Sequence, residues 1–103
     1  MYDISGVWNA TQSNGPVVQF HLNQNGAKFD GWAEYSDVRG DLNQSGELTD
    51  NEFHCVVFWE NGPIGDYQAN FGMDARLRGH TYDANSPASQ ALWHSQKQFE
   101  PRH

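Results

Sequence analysis

The chain has a single cysteine, Cys55, and can close no internal disulfide. That fits a reducing compartment or indifference to redox state, and cytoplasm is the expected location. Basic residues are also scarce: six Lys and Arg against thirteen Asp and Glu leave a formal charge of -7. Such a surface repels a phosphate backbone and an anionic membrane, so neither nucleic acid nor membrane is an expected partner. No apolar run approaches the roughly twenty residues of a membrane span. Met1-Tyr2-Asp3-Ile4 lacks the basic start and apolar stretch of a secretory signal. Nowhere do apolar residues recur at helical spacing for several turns, so no long helix is expected. The GxSxG, HExxH, phosphate-loop and dinucleotide signatures are absent too, and no cofactor is expected.

What the chain does have is aromatic surface. Four Trp, four Tyr and six Phe can bury enough area to offset the entropy of ordering, which argues against disorder. Its length suits one core, and 1–103 reads as a single domain. Turn signals recur about every ten residues. They fall at Ser13 to Pro16, Asn25-Gly26, Asp37 to Gly40, Asn43 to Gly46, Glu60 to Pro63, Gly72 to Asp74 and Ala84 to Pro87. Between them the pattern has a period of two: in 17–24, Val18, Phe20 and Leu22 share one face and Val17, Gln19, His21 and Asn23 the other. Segments 6–12, 17–24, 27–35, 53–59, 64–71, 75–82 and 89–98, with a less regular one around 38–48, give about eight short strands. Hairpin-length links imply an all-β, up-and-down antiparallel barrel, the closure that leaves no free edge.

Three smaller features bear on function. Asp41, Asn43, Ser45, Gly46, Leu48 and Glu52 fill the calcium-loop pattern. Gly40 precedes the loop and the β-branched, aromatic FHCVVFW follows it, so both flanks read as strand and the motif as a polar turn. The histidines, His21, His54, His80, His94 and His103, show no ligand spacing and fall opposite apolar neighbours, so they are placed outside and no metal is expected. Cys55 shares a face with Phe53, Val57 and Trp59 and is assigned to the core. Val56 and Phe58 make the opposite face of 54–60 apolar as well. That calls for cover by a terminal segment or by a second copy, as a homodimer or tetramer.

Ile4-Ser5-Gly6-Val7-Trp8-Asn9 resembles the strand that opens avidins and lipocalins, the calycin barrels, in which Gly-x-Trp lays an indole across the closed end. AKFDGWAEYSDV is similar to the third avidin strand, CVVFWENG to the fifth, and Ala91-Leu92-Trp93-His94-Ser95 to a later strand bearing a ligand-contacting Trp. The resemblance implies a shortened avidin-like barrel. It departs from avidins where Asn9 follows Trp8 directly and where QKQFEPRH replaces a further strand after Trp93, and both departures speak against biotin.

Counting inward from Trp8, the inner sets are Trp8, Ala10 and Gln12; Phe29, Ala33 and Tyr35; Cys55, Val57 and Trp59; Tyr67, Ala69 and Phe71; Leu77, Gly79, Thr81 and Asp83; and Ala91, Trp93 and Ser95. One mouth then gathers Tyr35, Trp59, Tyr67 and Trp93 for stacking and Gln12, Thr81 and Asp83 for orientation. The expected function is non-catalytic binding of a small organic or saccharide-like ligand. The alternatives are a small barrel enzyme, an isomerase or hydrolase with Asp83 as base and His80 or Tyr67 assisting, and a structural or oligomerising module whose aromatics fill the interior.

Overall fold

The computed structural model describes residues 1–42 and 44–101. Among them there are eleven strands and no helix. They are β1 (Tyr2–Asp3), β2 (Gly6–Gln12), β3 (Val17–Asn25), β4 (Lys28–Tyr35), β5 (Val38–Asp41), β6 (Gly46–Leu48), β7 (Glu52–Trp59), β8 (Ile64–Phe71), β9 (Leu77–Asp83), β10 (Ser86–Ser95) and β11 (Glu100–Pro101). The expected alternation shapes them. Val18, Phe20 and Leu22 of β3 are buried, as are Phe53, Cys55 and Val57 of β7 and Ala91, Trp93 and Ser95 of β10. A sheet with one apolar face buries it most completely by curling around it.

Antiparallel pairing runs from β2 through β3 to β4, then from β7 through β8 and β9 to β10, and β10 returns to β2. Both β5 and β6 lie between β4 and β7. The wall is therefore a closed barrel of eight staves, one of them broken in two. The expected count of about eight strands rises to eleven because the break adds one and the terminal pair β1–β11 adds two.

The break falls where a turn was expected at Asn43 to Gly46. Phe29 and Trp32 of β4, three apart, pair with Gly46 and Asp41, five apart, so the register shifts between β5 and β6 as at a bulge. Leu42 turns into the core, and Gly46 lies against the Phe29 ring, where a Cβ would collide. The segment is a bulge within one stave rather than a reversal; Asn43 itself lies outside the described residues. Strands flank the calcium-like stretch on both sides. Asp41 is paired with Arg39 at 3.0 Å, and no three potential metal-ligating side chains cluster among the described residues. A true reversal occurs at Ser36-Asp37, just ahead of the expected Asp37-to-Gly40 turn. Both residues have positive φ, 46° and 64°, as a two-residue hairpin with native twist requires, and Tyr35 pairs directly with Val38.

Aromatic rings fill the interior. Phe20 meets Trp8 at 4.9 Å between centroids and Tyr67 edge-on at 5.4 Å, while Phe53 stacks on Phe29 at 5.0 Å and meets Trp93 at 5.6 Å. Burying each such ring contributes about 2–3 kcal/mol, and each well-placed ring pair about 1 kcal/mol more.

The lower end is plugged by the chain termini. The expected strand 89–98 stops at Ser95, whose buried hydroxyl accepts the Leu77 N–H and donates to the Lys97 carbonyl, both at 2.9 Å. That satisfies a polar group inside the core and turns the chain. Phe99 then packs edge-on against Trp8 at 5.1 Å, and β11 pairs with β1. Tyr2 stacks on Phe71 at 4.3 Å, and the Trp8 indole N–H donates to the Ile4 carbonyl at 3.0 Å. The expected strand 75–82 begins instead at Leu77, because Ala75 sits in a turn with φ 61° beside Asp74.

Candidate ligand-binding mouth

The other end of the barrel is open. There the inward positions of β2, β4, β7, β8 and β9 carry Gln12, Tyr35, Trp59, Tyr67, Thr81 and Asp83. These line two adjoining clefts of about 180 and 260 Å3 that share Gln12, Trp59, Pro63 and Tyr67. Six of the seven candidate residues thus line one mouth, with Tyr67 in its floor. The seventh, Trp93, lies lower: it is 2% exposed, packs edge-on against Tyr67 at 5.8 Å, and donates its indole N–H to the His80 carbonyl at 3.0 Å. It forms part of the floor beneath the mouth.

Trp59 lines both clefts. Its indole is half-buried because Gly40 and Gly65 leave it room: a Cβ on Gly40 would press on Val57 and on the Trp59 ring, and one on Gly65 would come within 3.1 Å of Trp59 Nε1. The indole N–H has no hydrogen-bond partner among the described residues, and neither do the hydroxyls of Tyr35 and Tyr82. Tyr35 and Trp59 line the smaller cleft, and Trp59 and Tyr82 the larger.

The floor is more constrained. Tyr67 is 3% exposed, and its phenol donates to Gln12 Oε1 at 2.8 Å, while Gln12 Nε2 donates to Asn14 Oδ1 at 3.1 Å. Burial pushes the phenol well above its ordinary range, with the neighbouring Cys55 thiol adding to that and a hydrogen bond with Thr81 opposing it. Tyr67 is thus a neutral hydrogen-bond donor. Cys55 is also buried, and desolvation raises its thiol far out of the reactive range. Asp83 Oδ1 accepts the backbone N–H groups of Ile64 at 3.1 Å and Asn85 at 2.9 Å, which anchors the carboxylate at the rim.

Of the enzymatic alternative, Asp83 and Tyr67 line one cleft and His80 does not join them. His80 stands on the outer wall while Asp83 lines the mouth, and the Tyr67 proton is committed to Gln12. The described histidines are all outside, as expected: His21 stacks on Trp32 at 3.7 Å, His54 pairs with Asp66 at 3.2 Å, and His80 and His94 line an outer depression of about 540 Å3. His103 lies outside the described residues. A second outer depression, of about 510 Å3, is lined by Glu47, His54, Gln68 and His80. Each of these wider hollows has one phenyl or indole in its lining, whereas the smaller mouth brings several rings together.

Pro63, Pro16, Tyr82 and Asn61 also line the mouth and were not anticipated. Pro16, Asn61 and Pro63 belong to turn signals, which mark where a chain reverses but not which way the turn leans. Tyr82 lies at an outward position of β9 and reaches the cleft over the rim.

No family model and no curated protein matches the sequence. Among solved structures, the chain is similar to a redesigned β-barrel, mFAP1, bound to DFHBI. The two share 13% identity with a TM-score of 0.60 over 95% of this chain and 94% of that chain. At that identity the likeness shows the fold, an all-β barrel, and does not single out avidins.

Proposed function

We propose that the protein is a non-catalytic barrel that binds a small organic molecule at its open mouth, with Trp59 and Tyr35 supplying ring faces and Gln12, Thr81 and Asp83 supplying polar contacts over Tyr67 and Trp93. The observation that carries this reading is Trp59. A large indole lies against two glycines, lines both clefts, and has an N–H without a partner among the described residues. A ring used only as filler would be expected to bury that donor against an acceptor, as Trp8 and Trp93 do. The likeness to a barrel that was solved bound to DFHBI is compatible with this use of the architecture. The avidin-like side of the sequence resemblance, with its aromatic ligand contacts, belongs to the same proposal.

The size of the clefts favours a ligand of one or two rings, and a monosaccharide falls in that range. The test is a titration of 15N-labelled protein with planar heterocycles and simple sugars while the indole N–H signals are followed. A ligand at the mouth shifts the Trp59 signal and leaves that of Trp8 unchanged. If no compound moves Trp59, the filled-interior alternative replaces this reading.

A second copy is the proposed cover for the outer face of 54–60. Phe58 is 38% exposed and pairs with the half-buried Ile64, while the termini are engaged at the lower end of the barrel.

A further inference from the structure

Among the described residues, four carboxylates are half-buried: Glu34, Asp66, Asp74 and Asp83. Glu34 lies 3.7 Å from His21, Asp66 3.2 Å from His54, and Asp74 within 2.6 Å of Arg78. Asp83 has no basic partner among the described residues. Its Oδ1 is saturated by two backbone N–H groups, which hold the side chain in place. Its Oδ2 has no partner among the described residues, and the carboxylate borders the larger cleft beside Trp59, Tyr67 and Tyr82. No Lys, Arg or His lines either cleft.

A half-buried carboxylate has given up part of its hydration, and a fixed cation restores that loss most effectively. The negative faces of aromatic rings attract the same ligand. A net charge of -7 concentrates cations around the protein and disfavours anions. We infer that the mouth selects a small organic cation, an ammonium group on a compact apolar or planar body, with the charge at Asp83 Oδ2 and the body against Trp59. This rests on the mouth being the ligand site, and it names the ligand class that the site takes.

Three probes of matched size test the inference: 2-phenylethylamine, neutral 2-phenylethanol and anionic phenylacetate, each titrated against the full chain while the Trp59 indole N–H signal is followed. The amine is expected to bind about tenfold or more tighter than the alcohol, the increment of a charge-assisted hydrogen bond, with the carboxylate weakest. Asp83→Asn is expected to abolish the preference for the amine, bringing its affinity to that of the alcohol measured on the same variant. Asn keeps an Oδ1 acceptor for the Ile64 and Asn85 N–H groups, so the rim is retained. If the variant nevertheless unfolds, salt carries the test in the natural protein: raising ionic strength weakens amine binding and spares the alcohol. Equal affinity for amine and alcohol, or an amine preference that survives Asp83→Asn, overturns the inference while the site reading stands. No response of Trp59 to any of the three overturns both.

Discussion

Replacing Gly40 by Ala isolates the cradle that positions Trp59. Gly40 is buried, and the added methyl would press on Val57 Cγ1 and approach Trp59 Cε3 to 2.8 Å. Val57 is 0% exposed and β-branched, so it has no free rotamer into which to retreat. Trp59 is only half-buried and is the side that yields. Overpacking of this kind costs about 1–3 kcal/mol. In a domain of this size each kcal/mol corresponds to about 4–8 °C, so the melting temperature should fall by roughly 5–20 °C. The specific prediction is in the double-mutant cycle. Val57→Ala alone leaves a cavity and costs about 2 kcal/mol, but combined with Gly40→Ala it opens space for the new methyl. The pair should therefore be less destabilising than the sum of the singles by at least about 0.5 kcal/mol. Denaturant unfolding measures the cycle, and the Trp59 indole N–H shift reports whether the ring has moved. Strict additivity together with an unmoved Trp59 signal would refute the cradle.

Three further outcomes follow from the geometry. Tyr67→Phe removes the phenol that donates to Gln12 Oε1 and should cost about 1–2 kcal/mol by denaturant unfolding, since a partly buried acceptor is left unpaired. Asp74 is held well below its ordinary value of 3.8, chiefly by hydrogen bonds from Arg78 and helped by Arg76. A depressed carboxylate stabilises the fold above its unfolded pKa and loses that contribution as pH falls through the folded one; thermal melts of Asp74→Asn should accordingly lose part of the acid-induced drop seen below about pH 4. Phe58→Lys should shift an assembled form toward monomer in light scattering without lowering the melting temperature of the monomer, whereas an unchanged mass would remove the outer face of 54–60 as an interface.

Much of the wall was legible from the sequence because a strand shows its two faces at a period of two, and that local periodicity does not depend on what the strand pairs with. Val18, Phe20 and Leu22 share one face on that ground, and Ala91, Trp93 and Ser95 form one of the inner sets; all six are buried. Even the gathering of Gln12, Tyr35, Trp59, Tyr67, Thr81 and Asp83 at one mouth follows from alternation combined with up-and-down order, since that order puts alternate strand ends at the same mouth.

Tertiary structure decided the rest, because it depends on register between distant segments. Periodicity says which way Trp93 points but not how deep it lies; its pairing with Gly79 on β9, one inward position before Thr81, and its indole bond to the His80 carbonyl set it below the rim. The break between β5 and β6 exists because residues three apart on β4 pair with residues five apart, a mismatch visible only once both strands are aligned. Phe99 sits in a stretch without alternation and becomes core only because the chain folds back under Trp8. Whether Asp83 would have a cationic neighbour was equally undetermined in one dimension, since the pairing of a carboxylate depends on which side chains the closed barrel brings within reach of it.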